Sequence, residues 1–206
     1  MSNSKIRLYD NDLPAGITFG TSVAVDTETL GLKPNRDRLC LVQLSGGDGV
    51  AHIVKLGSQP IRAPRLVALL ADPDVLKIFH FARFDVAMLS KHLGVTTRPI
   101  YCTKIASKLA RTYTDRHSLK DLTSELLSIE LSKQQQSSDW GAEKLTDQQL
   151  NYAASDVLHL HALKVRLDRM LAREGRGELA QAAFDFIPTR AALDLAGFED
   201  GDIFAH

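Results

Sequence analysis

No stretch of the 206-residue chain approaches the ~20 consecutive apolar residues that a membrane-spanning helix needs, so no membrane role is expected. The opening MSNSKIRLYDND has no apolar h-region, and a secretory signal is not expected there. Cysteine is scarce: Cys40 and Cys102 form no motif and read as reduced thiols of a cytoplasmic protein. There is no excess of either charge, with 25 Lys and Arg against 25 Asp and Glu. Phosphate neutralisation dominates affinity for long nucleic acid, so this balance disfavours a long, non-specific binding surface. A short substrate in a small pocket remains compatible, because bound metal ions add local positive charge. Repeats and long linkers are also missing. Hydrophobic content of 44% and charged content of 24% belong to an ordinary globule. A chain of this length fits one domain, residues 1–206, that buries roughly 70% of its unfolded surface.

What the chain does have is three short acidic signatures in order: Asp26-Thr27-Glu28, Phe84-Asp85 and Tyr152-x-x-x-Asp156. They supply four carboxylates and a phenol. Converging carboxylates repel unless cations neutralise them, and hard oxygen ligands suit Mg²⁺ or Mn²⁺. Two such ions about 4 Å apart are the usual apparatus for cleaving a phosphodiester. The set points to a metal-dependent nuclease.

Hydrophobic patterning places the signatures on elements. TSVAVDT (21–27), LCLVQLS (39–45) and VAHIV (50–54) read as strands, the last two joined by the hairpin signal Gly46-Gly47-Asp48-Gly49. A short strand is expected near Ile6–Tyr9, a helix over Arg62–Leu70, a strand over Val75–Phe79 and a helix over Arg83–Leu93 that stops at Gly94. A strand near Ile100 leads to helices at Lys104–Arg111 and Leu119–Leu127. Ser132–Gly141 is polar and reads as a loop. Thr146 and Gln149 then form a capping box for one long helix, with Leu150, Ala154, Val157, Leu158 and Val165 as its apolar stripe. Gly175–Gly177 breaks the chain, and closing helices from about 177 are expected to be interrupted at Pro188. Strands first, then alternating helix and strand, indicate an α/β layer fold with a mixed sheet flanked by helices.

Asp26 and Glu28 are two apart at a strand end, so both carboxylates leave the same face; two solvated acids would look the same in sequence. Tyr152 and Asp156 are four apart on one helix face, as many surface pairs are. With a reference pKa of ~10, Tyr152 suits positioning a water better than deprotonating it. Asp85 follows a strand, at the kind of sheet edge where α/β sites lie, although an acid in a first helical turn also suits the dipole. His80 either contacts substrate or is a satisfied junction residue. Trp140 either stacks on a base or anchors packing. The runs Arg111–His117 and Lys133–Ser138 are candidates for holding a 5′ phosphate, or are plain solvated surface.

In combination these motifs resemble the DEDD superfamily of 3′–5′ exonucleases, with Asp26, Glu28, Asp85 and Asp156 as the four acids. The histidine branch has His five residues before the last Asp, where this chain has Asn151; the tyrosine branch has Tyr four before, where Tyr152 stands. The chain therefore resembles the DEDDy branch, with ribonuclease D and the Werner-type exonuclease domain. Ser138-Asp139-Trp140 and QLNYAASDV (149–157) look especially like ribonuclease D. The compact length and VDTETLGLKPNRDRLCLVQLS look most like the nanoRNase C family of Alphaproteobacteria. The resemblance runs from about Val23 to Arg169. It implies an RNase H-like fold, two bound Mg²⁺ or Mn²⁺ ions, a short RNA or dinucleotide substrate, nucleoside 5′-monophosphate products and a ring-shaped homo-octamer. It implies that Asp26 bridges both ions, that Glu28 and Asp156 serve the ion activating water, and that Asp85 serves the ion beside the leaving oxygen. Leu30 would wedge between the last two bases, unless Leu30 and Leu32 simply pack the turn; Thr27 joins the substrate-contact candidates. Phe184, Phe186, Ile187, Phe198 and Phe204 either face a partner subunit or cap the chain's own core. Other readings stand beside this one: an RNase D-like RNA or DNA exonuclease acting on longer 3′ ends, a non-catalytic nucleic-acid-binding module, and a purely structural oligomer.

Overall fold

The computed structural model describes residues 5–57, 60–132, 138–201 and 203–205. Six strands form one mixed sheet in the order β1-β4-β3-β2-β5-β6: β1 (Lys5–Asp10), β2 (Ser22–Thr29), β3 (Leu39–Ser45), β4 (Val50–Lys55), β5 (Leu76–Phe79) and β6 (Ile100–Cys102). β2, β3 and β4 pair antiparallel in sequence order, whereas β5 and β6 extend the sheet from β2 in parallel and β1 adds to β4 in parallel. The β3–β4 turn works because Gly47 and Gly49 take φ of 83° and 81°, a region closed to most side chains.

Seven helices follow among the described residues. α1 (Pro64–Ala71) and α2 (Ala82–Leu93) each precede a parallel strand, and Gly94 in the left-handed region stops α2 where the sequence places the stop. α3 (Thr103–Ala110) and α4 (Leu119–Leu127) come next, then α5 (Asp147–Leu158), α6 (Leu160–Arg173) and α7 (Gly177–Leu195). The capping box on α5 is complete: the Gln149 amide donates to Thr146 Oγ1 at 3.2 Å and Thr146 N–H donates to Gln149 Oε1 at 2.9 Å. α5 packs across β2, β3 and β4, burying Ala153 against Leu41 and Ile53.

Two expectations are corrected. The single long helix is two, separated at His159 (φ −108°). Beyond this break the buried face is Leu160, Leu163, Leu167 and Leu171, packed mainly on α3 and α4 and also on α7 and β5, and Val165 is left exposed. Pro188 does not interrupt α7. Phe184, Ile187 and Ala191 are buried on either side of it, so apolar packing holds the helix together through one missing backbone hydrogen bond. Phe184 and Ile187 therefore serve the chain's own core, whereas Phe186, Phe198 and Phe204 are exposed. No helix among the described residues is long and apolar enough to cross a membrane.

Candidate active site

The site lies where β2 ends. Antiparallel pairing sets Asp26 opposite Gln43 and Glu28 opposite Leu41, so both acids leave the face that α5 covers. One helical turn separates Tyr152 from Asp156, and the placement of α5 over β2 brings this pair to the strand end. Carboxylate oxygens of Asp26, Glu28 and Asp156 all lie within 4.8 Å of one another. Asp85 stands beside them in the first turn of α2, at the end of parallel β5. It is buried, and Thr27 Oγ1 donates to its Oδ1 at 2.5 Å. Thr27 points to the opposite face of β2 from its two neighbours, and its hydroxyl proton is engaged by Asp85. Thr27 lines the cleft, and its hydroxyl supports the fourth acid.

Burial and mutual repulsion dominate the electrostatics. Desolvation pushes Asp26 up to about 7, against a backbone hydrogen bond at Thr27 that lowers it. Glu28 is pushed up to about 10, by desolvation first and then by the charges of Asp26, Asp156 and Asp85. Asp85 and Asp156 are both raised well above the ordinary range by desolvation and then by Asp26. Tyr152 is raised by burial and by the same acids, so its phenol stays protonated at neutral pH and can donate but not act as a base. Desolvation drops His80 to about 3; its Nδ1 pairs with Thr103 Oγ1 at 2.8 Å. It lines the cleft as a neutral imidazole, able to hydrogen-bond a substrate without adding charge.

The donor set fits a hard divalent cation. Among the described residues no cation figures among the causes that shift these acids, and an all-oxygen cluster matches the preference of Mg²⁺ or Mn²⁺. Gln43, directly across from Asp26, is fully buried with neither amide atom hydrogen-bonded.

The cleft that opens from these acids has a volume of about 620 Å³. Leu30, 53% exposed, lines it. Trp140 also borders it but is only 2% exposed, packed with Cys40, Leu41 and Ile53, its ring 6.0 Å from that of Tyr152. The stacking expectation for Trp140 is corrected: the indole is a buried wall behind Tyr152. Arg111 is likewise no free phosphate ligand. It is fully buried, paired with Glu125 and donating to Ser107 and to the Arg116 carbonyl. Of the other phosphate candidates, 133–137 lie outside the described residues, and Ser138 lines the cleft. Lys104 and Lys120 also line it and escaped the sequence reading. Lys104 stands at the start of α3, directly after the end of parallel β6, and that strand-end position was the available signal.

The profile of the 3′–5′ exonuclease family matches residues 12–172. Ribonuclease D of Granulibacter bethesdensis is 36% identical over 154 residues, covering 75% of this chain and 38% of that protein. The chain thus spans about two fifths of the length of the curated ribonuclease D relatives it matches. Two solved structures of Brucella melitensis NrnC superpose over nearly the whole chain. The one bound to pGG is 55% identical with a TM-score of 0.95, covering 98% of each chain. The one with bound Mg²⁺ is 54% identical with a TM-score of 0.94, covering 98% of this chain and 99% of that one. Escherichia coli RNase D, at 23% identity and a TM-score of 0.74 over 84% of this chain and 45% of its own, shares the RNase H-like fold.

Proposed function

The chain belongs to the 3′–5′ exonuclease family, and we propose that within it this protein removes 3′-terminal nucleotides from very short RNA, including dinucleotides. The observation that carries the reading is the convergence of Asp26, Glu28 and Asp156 within 4.8 Å at one end of a cleft of about 620 Å³. That volume is of the size that encloses a small ligand rather than a long polymer. The pGG held by Brucella NrnC, 55% identical to this chain, supports the same substrate class.

Asp26, Glu28, Asp85 and Asp156 would hold divalent metal, with two Mg²⁺ or Mn²⁺ ions as the proposed complement. When bound, such ions supply an activated water and stabilise charge on the leaving 3′ oxygen. Asp26 neighbours all three other acids electrostatically, so it would hold metal in common with Glu28, Asp156 and Asp85. The Tyr152 hydroxyl donates a hydrogen bond that orients the attacking water. Thr27 fixes one oxygen of Asp85, leaving the other to turn toward the site. Leu30, exposed at the cleft wall, inserts between the two bases; His80 offers a neutral hydrogen bond. The buried, reduced cysteines suit a cytoplasmic setting. Exposed Phe186, Phe198 and Phe204 suit the ring-shaped homo-octamer implied by the resemblance, which a single-chain mass in light scattering would rule out.

The test is a time course on 5′-labelled RNAs of two to seven nucleotides and matched DNAs, in Mg²⁺ and in Mn²⁺. The dinucleotide should disappear at least roughly tenfold faster than the heptamer, which corresponds to about 1.4 kcal/mol of selective transition-state binding. Leu30→Ala should cut dinucleotide turnover at low substrate by about thirtyfold, as expected for losing a leucine contact of ~2 kcal/mol. Equal rates at all lengths would instead make the protein a general RNase D-like exonuclease. No cleavage together with no metal uptake would leave a nucleic-acid-binding module.

A further inference from the structure

α7 lies beyond the 12–172 stretch that the family profile matches, yet its C-terminal end grips the helix that carries the fourth acid. Asp194, in the last turn of α7, is 7% exposed. It accepts a two-bonded fork from Arg83: Nε to Oδ2 at 2.6 Å and Nη2 to Oδ1 at 2.7 Å. Arg83 stands two residues before Asp85 in the first turn of α2. The same guanidinium donates to the Glu199 carbonyl at 2.7 Å. Arg190, one turn back on α7, donates to Asp194 Oδ1 at 2.7 Å and to the Phe198 carbonyl at 2.6 Å. Asp194 is thus held from both sides, and the chain after α7 is folded over the clamp.

The N-terminus of α2 needs such a hold. Its N-cap, Phe81, sits in the left-handed region (φ 70°, ψ 43°), where a bulky side chain is strained, and no side chain caps the helix. Val86, Met88 and Leu89 bury the inner face of α2, but apolar burial is non-directional. It fixes where the helix lies more firmly than how its first turn is rotated. A planar fork between guanidinium and carboxylate is directional and short, and it fixes that rotation two residues from Asp85.

We infer that Asp194 is a positioning residue for Asp85: through Arg83 it sets the orientation of the first turn of α2 and thereby the place of the fourth carboxylate at the metal site. The inference rests on the metal-site reading above. Partners that orient a metal's ligands typically change its affinity by roughly 10- to 100-fold when removed. Asp194→Ala should therefore weaken Mn²⁺ binding, titrated calorimetrically into the full-length protein without nucleic acid, by roughly tenfold or more. Ile187→Val, which loosens the buried face of α7 and leaves the clamp intact, should lower the melting temperature and keep Mn²⁺ affinity at the wild-type value. If Asp194→Ala fails to fold, Arg83→Lys retains the charge and loses the fork, and it should show a smaller drop of the same kind. Wild-type affinity in whichever of these clamp variants folds overturns the inference, as does an equal loss in Ile187→Val. A wild-type protein that takes up no Mn²⁺ would overturn the metal-site reading itself, a different result from either.

Discussion

Asp26→Asn is expected to reduce cleavage by about a thousandfold or more while leaving the metal-free protein no less stable. Asp26 is the shared neighbour in the cluster: its charge raises Glu28, Asp85, Asp156 and Tyr152 alike. Removing that charge would take away the carboxylate proposed above to hold metal in common with the other three acids. Metal-ion stabilisation of a phosphoryl transition state is worth several kcal/mol, and a loss of ~4 kcal/mol is about a thousandfold in rate. Stability moves the other way. Without metal, the buried acids repel, and an amide of the same shape removes one source of that repulsion. Single-turnover cleavage of a labelled dinucleotide at saturating Mg²⁺, beside thermal scans in a chelator, reads both effects. Cleavage within tenfold of wild type would remove Asp26 from the mechanism. A melting temperature several degrees lower would mean that its carboxylate supports the fold instead.

The second large effect is the dependence of stability on metal and pH together. Folding raises Asp26 from 3.8 to about 7 and Glu28 from 4.5 to about 10. Below the unfolded values both states hold these protons, and the cluster costs nothing. As pH rises past 3.8 and 4.5, the unfolded chain releases protons that the metal-free folded protein keeps, so stability falls. For Asp26 the loss is complete once pH passes about 7, and for Glu28 it continues to about 10. Bound Mg²⁺ holds the acids ionised and reverses the sign. Ligand at ~100 times its dissociation constant stabilises by about 2.7 kcal/mol, which for a chain of this size is roughly 5–10 °C. The melting temperature in Mg²⁺ minus that in chelator should therefore be small at about pH 5 and reach this range at about pH 8. Taking the difference cancels every group that the metal does not touch. A difference that stays flat across this span would show that the ion binds away from the raised acids.

Much of this was legible in the primary structure because local rules decide it. β3 and α4 fall at the expected boundaries, and the hairpin glycines, the capping box and the α2 stop each act through a few neighbouring residues. Period-two alternation put Asp26 and Glu28 on one face, and helical spacing stacked Tyr152 over Asp156. Where a reading depended on which surface an element meets, it failed. The stripe drawn through Val165 assumed one straight helix on one layer, but α6 turns mainly to α3 and α4. Arg111 looks like a solvent-facing base in sequence, and only packing reveals its buried pairing with Glu125.

The order and spacing of the acids, Tyr152 in place of the histidine variant, and the mixed α/β layering were thus determined by the sequence alone. Tertiary structure decided which carboxylates meet: β2, α5 and α2 contribute acids up to 130 residues apart, and only the docking of these elements converts them into a cluster. It also decided that Thr27 serves Asp85, that Trp140 is buried, and that Asp194, 109 residues downstream of Asp85, clamps its helix. The reason is physical: backbone periodicity is set by bonds between near neighbours, whereas burial, repulsion and long-range hydrogen bonding depend on distances that exist only after the chain has packed.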